Sequence, residues 1–247
     1  MIAGTALVLS DEELGVLWTV AGRPPFGYVP WPELDAATLE AVARGLLARG
    51  IIRDGDAPAL APDVERLLEV ALFSEQMLRC TVNDFGPRAA ASGQEVFWRS
   101  GTSLVWHTPS FTGTHRFADC DRSAVDAMLA GMLLLADAPA QRDGPPLTLA
   151  ERDHVDLLEA VEREGAAAAA ARQPELAGYL DALTAPHRAT SFEVRDSAFA
   201  GGELSLLDSP RHGLWLARDG AEGGVAIQRV ATQTARDRVS ELAETFA

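Results

Sequence analysis

The chain starts twice, and that limits its folds more than any single motif does. Residues 7–18 read LVLSDEELGVLW and residues 147–158 read LTLAERDHVDLL. Each has Leu-x-Leu, a small residue, acids, and then apolar positions at helical spacing. The order of elements after each start also agrees. In the first copy Ser10, with Glu13 three residues on, fits a capping box for a helix through Leu14, Leu17 and Trp18. LDAATLEAVARGLLARG reads as a second helix ending at Gly50, and a third starts at Pro62 with Val64, Leu67, Leu68 and Ala71 on one side. MLRCTVND alternates as a half-buried strand, EVFWRS-GT-SLVWHT as a hairpin turning at Gly101, and THRFAD as a further strand. DRSAVDAMLAGMLLLA closes the copy as a helix.

The second copy keeps this order. GYLDALTAP parallels LLEVALFSE, and TSFEVRD parallels LRCTVND, which sets Val194 against Val82 and Asp196 against Asp84. ELSLLDSPRHGLWLARD parallels the first hairpin and places Trp215 opposite Trp106; GGVAIQRV and TARDRVSELAETF follow. The expected fold is therefore α+β, one compact domain of two pseudo-twofold-related halves, each a small antiparallel sheet flanked by helices. The repeats run over about 1–137 and 146–247, linked by the Pro- and Gly-rich 138–145. Joining the halves would spare each small sheet an exposed edge.

Composition narrows the function. All 21 basic residues are Arg, and the formal charge is -15. Such a field repels nucleic acid and anionic membrane and favours basic or apolar partners. No apolar run approaches the roughly 20 residues that span a bilayer, and the start lacks the basic region of a secretory signal. Cys80 and Cys120 read as two ordinary thiols of a reduced, cytoplasmic protein.

Chemistry is sparse. His107, His115 and Cys120 lack the close pairing of zinc ligands. There is no nucleophile elbow, phosphate loop or dinucleotide fingerprint. Asp84 and Asp196 sit at strand ends, where acids ordinarily start turns. Asp153 and His154 read as a solvated helix face. The expectation is no catalytic, metal or cofactor site.

Two features exceed what a core requires. The loop AGRPPFGYVPWPEL carries Phe26, Tyr28 and Trp31, which either cap the core or form a contact surface. The first sheet is dense in aromatics: Phe97, Trp98, Trp106 and Phe111. Adjacent strand residues point to opposite faces, so one of Phe97 and Trp98 leaves the core-facing side. A helix of the same protein or a partner must cover it.

The opening LVLSDEELGVLW, then LEAVARGLLARGII, PDVERLLEVAL and a strand, with the matching second half, resembles the EspG family of actinobacterial ESX (type VII) secretion-associated proteins. The resemblance covers nearly the whole chain and rests on order and patterning. It implies a cytosolic, non-enzymatic chaperone that binds the helical tip of a PE–PPE pair or a small Trp-x-Gly helical hairpin. Candidate partner-binding residues, chosen for aromatic density, are Trp31, Trp98, Trp106 and Phe111. A homodimer is also compatible. The rival reading is a winged-helix DNA-binding regulator over residues 11–54, with Arg44, Arg49 and Arg53 on phosphates. An enzyme without a local signature is the third.

Overall fold

The computed structural model describes residues 6–20, 34–54, 59–85, 92–110, 112–133, 142–198, 200–220 and 223–246. They are mixed α and β. Two compact units divide the chain: residues 1–77 with 94–125, and residues 78–93 with 126–247.

The first unit begins with β1 (Leu7–Ser10), α1 (Asp11–Val20) and α2 (Ala36–Ala48). The two-residue strands β2 (Ile52–Arg53) and β3 (Ala59–Leu60) pair as a small separate ladder before α3 (Pro62–Leu72). β4 (Gln76–Asp84) starts at the end of this unit and runs into the second. β5 (Gly93–Ser100), β6 (Ser103–Pro109) and β7 (Thr114–Cys120) follow, then α4 (Arg122–Met132). The strands lie in the order β1-β7-β6-β5, all antiparallel.

Local chemistry explains these elements. The Ser10 amide donates to Glu13 Oε2 at 3.0 Å while the Glu13 amide donates to Ser10 Oγ at 3.2 Å, a reciprocal capping box as expected. α2 ends where Gly50 takes φ 68°, with the Gly50 amide on the Leu47 carbonyl. Pro62 opens α3, which buries Val64, Leu67, Leu68 and Ala71 against the sheet. The hairpin turns at Gly101, φ 55°, closing on the Ser100–Ser103 pair. The Leu-x-Leu start is itself a strand: Leu7 and Leu9 point into the core and Val8 points out. α2 is the least anchored helix, burying only Leu46.

The second unit adds β8 (Leu147–Ala150), α5 (Glu151–Glu164), α6 (Ala166–Ala170), α7 (Ala177–Thr184), β9 (Arg188–Asp196), β10 (Gly201–Ser209), β11 (Gly213–Asp219), β12 (Gly224–Arg229) and α8 (Thr232–Glu244). Its strands run β4-β9-β10-β11-β12-β8. LTLA is thus a short strand, as LVLS is in the first unit. A core of Leu157, Ala160, Leu176, Leu180, Trp215 and Ile227 lies under α5 to α7. The Trp215 ring packs so closely on α7 that a β-carbon at Gly178 would lie 2.9 Å from it. Gly201 is required for a similar reason, since a β-carbon there would overlap the Val194 carbonyl.

Every ion pair to a carboxylate among the described residues is made by arginine or histidine. Buried Glu193 carries both Arg79 and Arg195, and Asp84 takes Arg188 at 2.9 Å. Asp196 starts a turn, accepting from the Ala198 and Ala200 amides. Asp84, at the end of β4, receives the Arg188 guanidinium. No described helix is long and apolar enough to cross a membrane.

Candidate partner-binding face

In the first unit the strand register sorts the aromatics by side. Val96, Trp98, Val105 and Phe117 face the helices and join their core. Phe97, Trp106, Thr108, Arg116 and Ala118 occupy the opposite face, with Val8 across from Arg116 and Thr108 between Arg116 and Glu95 in the ladder. Phe97 is fully buried, so both members of the Phe97–Trp98 pair are covered.

Trp106 is only half-buried, and its orientation is held from two directions. It stacks on Phe97 with centroids 5.6 Å apart. Its Nε1 donates to Glu95 Oε2 at 2.6 Å, and Thr108 Oγ1 donates to the same oxygen at 2.6 Å. Between Trp106, Thr108, Arg116 and Ala118 lies a small, open hollow. Exposed Arg116 edges it, and Val8, 44% exposed, continues the apolar surface onto β1. A fixed indole beside a cation and an apolar edge suits a protein contact: aromatics and arginine are the side chains that dominate such interfaces.

The expected contact residues separate here. Trp106 is on the open face, whereas Trp98 is 4% exposed inside the core. Trp31 and Phe111, with Phe26 and Tyr28, lie outside the described residues. Glu95, Arg116 and Val8 were missed by aromatic density; the signal for them was strand parity with Trp106, readable once the ladder is in register.

The remaining polar candidates go elsewhere. His107 and His115 come together on the helical face, with Nε2 of one 2.9 Å from Nδ1 of the other. Cys120 alternates to the other face, away from them. Burial, with Asp121 and Asp119 nearby, pushes its thiol up to about 12, so it stays protonated and unreactive. No cluster of three metal-ligating side chains with suitable geometry occurs among the described residues. His154 is not simply solvated: it is half-buried, with Nε2 3.3 Å from the buried Tyr179 hydroxyl. Of the arginines placed on phosphates in the regulator reading, Arg44 is paired with Glu40 at 2.6 Å and Arg49 with Glu13 at 2.6 Å. Those charges are already partly neutralised.

No protein-family model matches the chain, and no curated protein matches its sequence. Among solved structures, the Mycobacterium tuberculosis type VII secretion system chaperone EspG5, in complex with a PE25–PPE41 dimer, is similar with a TM-score of 0.63. Identity is 13%, and the match covers 98% of this chain and 96% of that one. Over nearly its whole length, then, the chain has the fold of the type VII secretion chaperone EspG5.

Proposed function

We propose that the protein is a cytosolic, non-enzymatic chaperone or adaptor for a type VII (ESX) secretion client, either a PE–PPE pair or a small Trp-x-Gly helical hairpin. The observation that carries this reading is the EspG5 likeness across 98% of the chain. The client's helical tip docks on the open face of the first sheet. Trp106 is its anchor, Arg116 a flanking cation, and Val8 part of the apolar surround. Trp31 and Phe111 are further contact residues for the client, while Trp98 supports the sheet from behind. The net charge of -15 disfavours nucleic acid and anionic membrane as partners.

The experiment is co-expression with the PE–PPE pair or small helical protein of the source organism's own secretion locus, followed by copurification. Wild type should retain the client. Trp106→Ala should weaken binding by on the order of 2 kcal/mol, about 30-fold. No retention by wild type ends the chaperone reading. Equal retention by the variant ends only the docking face. Salt-sensitive DNA binding, weakened by Arg49→Ala, would favour the winged-helix regulator.

A further inference from the structure

The helical side of the first sheet holds a buried polar chain that docking does not use. Asp11, the first residue of α1, places Oδ1 2.6 Å from His115 Nε2. His115 Nδ1 lies 2.9 Å from His107 Nε2. Both imidazoles are 4% exposed. A carboxylate oxygen only accepts, so His115 Nε2 donates to Asp11, and when His115 carries that one proton its Nδ1 accepts from His107 Nε2–H. The Nδ1 lone pair of His107 is left buried with no hydrogen-bond partner. Phe117 stacks on that ring at 4.3 Å and 8°.

The chain also ties two distant segments together. The Asp11 amide donates to the Gly113 carbonyl at 3.0 Å. Gly113, at φ +74°, sits so close that a β-carbon would lie 2.6 Å from Asp11 Oδ2. The β1–α1 junction is thereby pinned to the β6–β7 hairpin.

A second proton on His107 can go only to Nδ1, where it makes a buried cation with nothing to receive it. Burial, and then the neighbouring His115, push the His107 pKa down to about 3. The other charged groups on the surrounding elements are paired or turned away: Asp63, Glu65 and Glu69 of α3 are exposed, and Arg116 of β7 lies on the opposite face. Glu13 of α1 holds Ser10 and Arg49, and Asp119 of β7 holds Arg66 of α3. From α3 the inward residues are Val64, Leu67 and Leu68, and from β1 they are Leu7 and Leu9.

We propose that Asp11, His115 and His107 form an acid-sensitive clamp, closed while His107 is neutral and opened when His107 takes a proton. The sign follows from linkage. The folded pKa lies below the free value near 6.5, so the stabilisation is complete above about pH 6.5 and is lost as pH falls toward 3. Val8 rides on β1, so an open clamp would also disturb the docking face and release a client. That consequence rests on the proposed function; the clamp itself does not.

The test is amide hydrogen exchange of Leu7–Ser10 and Thr114–Cys120 between pH 7 and 5, corrected for the intrinsic rate. In this window most carboxylates remain ionised. The opening constant should rise about 25-fold in wild type, from the titration of His107 alone. In His107→Phe, which keeps an aromatic ring against Phe117, that rise should vanish. No rise in wild type, or an equal rise in the variant, overturns the clamp. Should the variant fail to fold, ¹⁵N shifts of the wild-type imidazoles decide: folded protein at pH 5 should hold His107 neutral, and a charged ring there overturns the proposal.

Discussion

Trp98 and Trp106 are near neighbours on adjacent strands with opposite duties. Trp98 is 4% exposed among Val96, Val105 and Phe117, so Trp98→Ala should open a cavity and cost about 3–5 kcal/mol. Trp106 has solvent on one side and should cost less when truncated. Denaturant unfolding of the two variants checks this ranking, and a Trp98→Ala midpoint equal to wild type would contradict it. The sequence shows that adjacent strand residues point to opposite faces. It does not show which face a helix covers, because that depends on α3 packing from a different part of the chain. Aromatic density alone therefore treated an internal tryptophan and a surface one as equals. Glu95, which orients the indole, was invisible for the same reason: it lies across a hairpin from Trp106 and Thr108.

Helices show the same division between local and distant information. The capping box at Ser10 and Glu13 is local, four consecutive residues, and was legible. So were the Gly50 stop and the Pro62 start. α8 is different. Ala231 stands at its N-cap and offers no side chain, yet the end is not bare: Asp143 accepts from the Ala231 amide at 2.7 Å and from Thr234 Oγ1 at 3.0 Å. The cap comes from the linker before β8, and no scan of residues 228–236 could find it. Asp143→Ala should cost about 1 kcal/mol, the usual worth of a lost N-cap. Thermal unfolding would read this as a fall of a few degrees, and an unchanged Tm would mean that water replaces the carboxylate. The Leu-x-Leu starts are strands, although the pattern alone fits a strand or the lead-in to a helix equally. Four residues are too few for periodicity to separate the two, and pairing with β7 and β12 decides the matter.

At the scale of the molecule, each half presents a short strand, helices, four strands and a closing helix, and the first half adds the two-residue strands β2 and β3 between α2 and α3. We propose that the halves, about 1–137 and 146–247, are copies joined by 138–145 into one compact domain. A Cα superposition of residues 7–132 on 147–246 should lay β4 on β9, with Val82 over Val194; a best fit that pairs other strands would end the proposal. This order was readable because patterning survives where identity does not, as the 13% match to EspG5 also illustrates. The pairing of every described carboxylate bridge with arginine or histidine has a further consequence. Without lysine, the chain carries no side-chain amine at all. Succinimidyl cross-linkers and amine-coupled dyes find no side chain to react with, and a ligase that builds isopeptide bonds on lysine has no acceptor. Guanidinium and carboxylate reagents are the ones that would map this surface, and any amine-derived cross-link to a side chain in a client complex must use the client's lysines.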